Sequence, residues 1–124
     1  MDKKQSYSKT AFSVSLKEIV DNLDLMRITW DKTSQKHYSN ESGSNYWNKY
    51  HTLLLALCKT TKEDAKKCFD DAHIEISGTF SILAELEDFL NKNKEIDVRK
   101  NYQKNKLDDF ENRFSEIKEE LEKR

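Results

Sequence analysis

The run NYWNKYHTLLLALCKT, residues 45–60, is the most apolar stretch of a chain in which 36 % of the residues are charged. Its members Tyr46, Trp47, Tyr50, Leu53, Leu54, Leu57 and Cys58 recur at the three- and four-residue steps of one helix face. Leu55 and Ala56 widen the stripe. A helix that is apolar over most of its circumference needs neighbours on most sides. The run therefore predicts the most buried helix of an all-α bundle. It also makes His51 a boundary residue beside an aromatic cluster.

Composition points the same way. The 124 residues are the length of one domain. The chain has no proline and only two glycines, where average usage gives about six prolines. Strands joined by tight turns need such residues for their special backbone angles. Long helices need neither, and proline damages their interiors. A net charge of −1 provides no general basic field for nucleic acid or anionic lipid. No nucleic-acid partner is expected, and membrane contact is not favoured. No run approaches the ~18 apolar residues of a membrane span. The first twelve residues carry no long apolar run behind their lysines, as a secretory signal would. A cytoplasmic protein is the expectation. The two cysteines, Cys58 and Cys68, fall on apolar helix faces and read as small buried thiols.

Working outward from residues 45–60, the apolar periods predict helices over 14–38, 44–59, 61–91 and 97–123. A flexible segment over 1–12 precedes a single domain over 13–124. Ser15-Leu16-Lys17-Glu18 fits the capping box that opens a helix, and Leu16, Ile19, Val20, Leu23, Met26 and Trp30 form its stripe. The loop SNESGSN, residues 39–45, separates it from the second helix. Thr60-Thr61-Lys62-Glu63 fits a second capping box and predicts a turn near Lys59. The third helix has one weak point, Ile74 to Thr79, where β-branched residues and Gly78 lower helix propensity. A kink or a close helix approach is expected there. Residues 91–97 form a polar connection, with Asp97 as cap of the last helix. The expected fold is an antiparallel four-helix bundle in which the third and fourth helices make a long C-terminal hairpin.

That last helix carries Leu107, Phe110, Phe114, Ile117 and Leu121, spaced 3, 4, 3, 4. This is the seam of a coiled coil, and equally the inward face of a bundle helix. Residues 92–106 hold six basic and two acidic side chains, and residues 107–122 two basic and seven acidic. If two such helices pair between subunits, the antiparallel arrangement sets plus beside minus. The candidate interaction surface consists of this seam together with Tyr46, Trp47 and Tyr50, since Trp and Tyr are favoured interface anchors.

Catalytic patterns are weak. His51-Thr52-Leu53-Leu54-Leu55 resembles the H-x-L-K-G of histidine phosphotransfer domains at His51 and Leu53. Leu54 and Leu55 stand where that family has a lysine to offset phosphoryl charge and a glycine to clear space. Asp70-Asp71-Ala72-His73 contains one acidic-x-x-His step, as di-iron bundles use, without the second step they need. Arg27 and His37 lie too far apart for the Arg-to-His step of HEPN-type nucleases. The WxG helical hairpins carry a Trp-x-Gly turn, and here Trp47 is followed by Asn48 and Lys49. No catalytic residue, cofactor or metal is expected. The expected function is a non-catalytic protein–protein interaction module, a small helical binder of the immunity, antitoxin or adaptor kind that covers a partner's surface. The alternative is a self-associating scaffold, an antiparallel homodimer resembling BAR bundles in architecture alone, at a membrane surface. Phosphotransfer through His51 is a remote third reading, and it requires an exposed histidine with a cationic neighbour.

Overall fold

The structure is a computed structural model that describes residues 3–35 and 40–124. Four α-helices run α1 (Lys3–Ser34), α2 (Asn40–Ala72), α3 (Thr79–Lys92) and α4 (Asn101–Glu122). The chain is an all-α bundle, as the missing proline and the helical periods predict. α1 packs on α2 and α4, and α3 closes the ring between α2 and α4. Every neighbouring pair is antiparallel. Ser8 meets Asp71 and Ser15 meets Asp64 across α1 and α2. Arg27 meets Asp108 at 3.4 Å, and Lys104 meets Asp31 at 2.8 Å, across α1 and α4.

The core is one apolar cluster to which each helix contributes a stripe. α1 supplies Phe12, Leu16, Ile19, Leu23, Met26 and Trp30, and α2 supplies Trp47, Leu54, Cys58, Ala65 and Cys68. α3 adds Ile82, Leu83, Leu86, Phe89 and Leu90. α4 adds Leu107, Phe110, Phe114, Ile117 and Leu121. The seam of the last helix is thus core within one chain. Phe89 and Phe110 lie 5.7 Å apart between ring centres, a separation that adds stabilisation beyond area alone.

The helix boundaries differ from those the sequence predicts, for tertiary reasons. α1 begins at Lys3, so Ser15 is not its first turn, and the Ser15 hydroxyl donates to the Asp64 carboxylate instead. The end expected for the first helix, at 36–38, lies outside the described residues, as does Ser39 of the expected loop. Residues 40–45 of that loop are the first turns of α2. Gly43 sits there because Thr33 comes close. A Cβ at position 43 would lie 2.6 Å from the Thr33 Oγ1. The turn expected near Lys59 is absent. α2 continues through Thr60 to Ala72, because Cys58, Ala65 and Cys68 hold one unbroken buried stripe.

The break falls instead at the weak point of the sequence, over residues 73–78. His73 takes φ 56° and Gly78 takes φ 85°, left-handed values that end one helix and start the next. Nothing lies within 4 Å of the Cβ that Gly78 lacks. Its need is therefore for backbone angle, not for space. The long hairpin is accordingly α1–α2, of 32 and 33 residues, about 48 Å in length. The C-terminal pair has 14 and 22 residues.

Truncating the seam tests its place in the core. Phe114 is fully buried, so Phe114→Ala is expected to cost about 3–5 kcal/mol in urea denaturation. The variant should also sediment as the wild type does, because the seam is filled from within the chain.

Candidate functional site

His51 lies on α2 one turn after Trp47, and both point their polar atoms at the end of α3. The last carbonyls of a helix have no partner within it. The Trp47 Nε1–H donates to the Asn93 carbonyl at 3.1 Å. His51 is 6 % exposed and its Nε2 sits against the Leu90 carbonyl. A carbonyl only accepts, so that nitrogen carries the proton. Asn93 closes the turn by donating from Nδ2 to the Phe89 carbonyl at 2.9 Å. Its Oδ1 accepts from the Tyr102 hydroxyl and from Gln103 Nε2 on α4. Gln103 also donates to the Glu95 carbonyl at 3.1 Å and accepts from the Asp97 amide at 2.9 Å. The histidine is thus a fastener between α2 and the α3–α4 connection. It lacks the exposure that phosphotransfer requires. Asp97 binds Arg99, and α4 starts at Asn101, four residues beyond the expected cap.

The eight residues of the candidate surface separate. Trp47, Leu107, Phe110, Phe114, Ile117 and Leu121 are buried in the core. Tyr50 is half-buried against it, and Tyr46 is exposed. Apart from Tyr46, the exposed large apolar side chains lie elsewhere, and two groups of them matter.

The first group runs along the outside of the α1–α2 hairpin. Tyr7, at 81 % exposure, Val14 and Leu25 are exposed on α1, and Tyr46 and Leu53 on α2. Positions 7, 14 and 25 project in nearly one direction, since seven residues make two turns and eighteen make five. On α2, positions 46, 53 and 64 share a stripe in the same way, and Asp64 faces α1 through Ser15. Tyr7, Ala11 and Val14 line a groove with Asp64. Both stripes therefore flank the seam between the two long helices, away from α3 and α4.

The second group is a cleft of about 340 Å³ where α2 ends and α3 begins, bordered by Phe69 and Phe80. Sequence periodicity assigns both phenylalanines to the core stripe of one long helix. The break at residues 73–78 turns them outward. The outer stripe of α1 was legible as Tyr7, Val14 and Leu25 at whole-turn spacing. The stronger Leu16-to-Trp30 stripe obscured it.

Ion pairs join α1 to α4, α2 to α3 and α3 to α4, beside others that lie within single helices. Arg27 reaches Asp31 at 3.3 Å and Asp108 at 3.4 Å, and also contacts Asp24 and Glu111. Burial, followed by the nearby Asp24 charge, raises the Glu111 carboxyl above its ordinary value of 4.5. The hydrogen bond from Arg113 lowers the Glu85 carboxyl. Both cysteines are free and buried, and burial pushes the Cys58 thiol up to about 12. Burial raises Cys68 as well. Among the described residues, no group of three or more His, Cys, Asp and Glu side chains is placed to hold a metal ion. Among them, too, no helix is long and apolar enough to cross a membrane.

No protein-family model, no curated protein and no solved structure matches this chain.

Two measurements probe these assignments. His51→Ala removes the α2 donor from the Leu90 carbonyl, which keeps the Asn93 amide at 3.3 Å, so the expected cost is that of one hydrogen bond, about 0.5–1.5 kcal/mol. Hydrogen exchange should quicken at the end of α3 and in residues 93–100 before it does elsewhere. Glu111 tests the ionic cluster. Its raised folded-state value means that the folded chain holds this proton more tightly than the unfolded chain. The stability it contributes is full below its ordinary value and is lost as pH rises through the folded one. Glu111→Gln is therefore expected to raise the melting temperature at pH 7 and to leave it unchanged near pH 3.5.

Proposed function

We propose that the chain is a non-catalytic protein–protein interaction module, a small helical binder that covers a partner's surface with the outer side of its α1–α2 hairpin. The observation that carries this reading is the set of five exposed side chains, Tyr7, Val14, Leu25, Tyr46 and Leu53, on one side of two long helices. Apolar side chains gathered on one side of a fold support an interaction site more than single residues scattered over it do. Aromatic anchors bring much area at small entropic cost. Lys17 and Asp21, which pair at 2.8 Å on α1, lie between Val14 and Leu25 and interrupt the apolar row with polar surface.

The scaffold reading drew its interface from the seam Leu107 to Leu121, and those side chains are already packed inside the chain. Among the described residues of the outer hairpin, the exposed apolar side chains suit a protein partner as well as a lipid surface. An immunity, antitoxin or adaptor role fits the compact bundle with one apolar side equally well. The localisation expected with it is cytoplasmic.

Site-specific photocrosslinking tests the proposal. Benzoylphenylalanine is placed at position 14, 25 or 53, and at the exposed position Glu119 on α4 as control, in cells that make the chain naturally. Discrete crosslinked products are expected from the three hairpin positions and not from the control. The double variant Leu25→Lys, Leu53→Lys should remove the product formed at position 14 while shifting stability by less than about 1 kcal/mol. Equal, diffuse crosslinking at all four positions would sink the reading.

A further inference from the structure

The cleft between α2 and α3 lies on the other side of α2 from the outer hairpin stripe, and it differs in chemistry. Its floor is the buried trio Phe12, Ala65 and Ile76. Its borders are Phe69 and Phe80, 48 % and 41 % exposed. The linker forms the remaining wall. Thr79 ties itself back to Ile76, with Oγ1 donating to the Ile76 carbonyl at 2.7 Å, so the linker is pinned at the cleft and the cavity is built into the fold. Asp70, Glu75 and Lys66 stand around the opening. Among the described residues these three make no ion pair, although carboxylates elsewhere are taken up by Arg27, Arg99 and Arg113. The mouth thus carries two carboxylates against one ammonium, all unpaired, over an apolar floor.

We infer that this cleft receives one bulky apolar side chain from a partner polypeptide whose flanking residues are basic. Three observations support this occupant. The volume of about 340 Å³ suits one large side chain with part of its backbone, at the lower end of ligand-sized pockets. Two phenylalanine rings on opposite borders can grip an aromatic or branched side chain, the anchor-in-pocket arrangement of interface hot spots. The surplus carboxylate selects basic flanks, because charge complementarity at a rim governs partner choice. An acidic flank would set like charge against Asp70 and Glu75. The inference rests on the reading of the chain as a protein binder, and it assigns a second contact point beyond the hairpin stripe.

The test uses the full chain and three capped tripeptides, Lys-Phe-Lys, Glu-Phe-Glu and Lys-Ala-Lys, followed by methyl NMR. Ile74 and Ile76 report on the cleft, and Val14 and Leu53 report on the hairpin stripe. Lys-Phe-Lys is expected to shift the two isoleucine methyls saturably, with a millimolar Kd, and to leave Val14 and Leu53 in place. The other two peptides should bind at least about tenfold more weakly, a difference of about 1.4 kcal/mol. Asp70→Asn with Glu75→Gln should abolish the preference for basic over acidic flanks. Phe80→Ser should weaken Lys-Phe-Lys about tenfold while the circular dichroism stays that of the wild type, since the ring is half in solvent. Absence of saturation at Ile74 and Ile76, or equal binding of Glu-Phe-Glu, overturns the inference. A negative result here combined with crosslinking at positions 14, 25 and 53 removes only the cleft. Loss of both removes the binder reading itself.

Discussion

Phe12, Leu16, Ile19, Leu23, Met26 and Trp30 recur along α1, all of them buried, and both α2 and α4 dock on the ridge they form. Much of the remaining structure follows from satisfying that ridge. A chain with a third of its residues charged has little apolar surface to spare, so each helix must turn its one stripe inward and place charge at its flanks. The flanks then meet in register. The hydroxyls of Ser8 and Ser15 reach Asp71 and Asp64 beside the ridge on α2. Arg27 gathers carboxylates from α1 and α4 on the opposite flank. Pairs of this type add little net stability when exposed. Their use is to fix which flank of α1 faces which neighbour.

The helical class and most of the core were legible from periodicity, because a stripe at three and four residues has few other structural meanings; the count of four agrees only because the absent turn near Lys59 offsets the full break at residues 73–78. The seam from Leu107 to Leu121 was legible as an apolar face, but its partner was not. A two-heptad seam satisfies the same spacing against its own chain or another. The boundaries failed where a local signal met a tertiary one. Thr60 to Glu63 has the letters of a capping box, yet Thr61 is buried between Cys58 and Ala65. Interrupting α2 there would have split a continuous stripe. The sequence allows a kink or a close approach at Gly78, and its left-handed φ of 85°, with open space around a Cβ, selects the change of direction. Gly43 is the glycine of close approach.

The candidate sites were less legible, for a related reason. Phe69 and Phe80 look like core when one helix is drawn through residues 61–91. Once the chain turns at residues 73–78, they belong to two helices and border a cleft. The aromatic cluster around His51 was visible as a cluster, but not as a set of donors. Trp47 and His51 serve carbonyls 46 and 39 residues away, and no pattern along the chain encodes that distance. The sequence does carry the whole-turn spacing of Tyr7, Val14 and Leu25. Weak stripes beside strong ones carry the information about surfaces.

Cys58 and Cys68 stand ten residues apart on the inward stripe of α2, closed off from solvent on the native fold. A thiol reacts as its thiolate, and burial raises the pKa of both thiols. Reagents such as iodoacetamide therefore meet them only when α2 lifts from its neighbours. Cys68 lies near the exposed end of α2 and Cys58 nearer its middle. Labelling rates at the two positions consequently report whether the end and the middle of α2 open together or apart, so the fold carries its own clock for how the hairpin breathes.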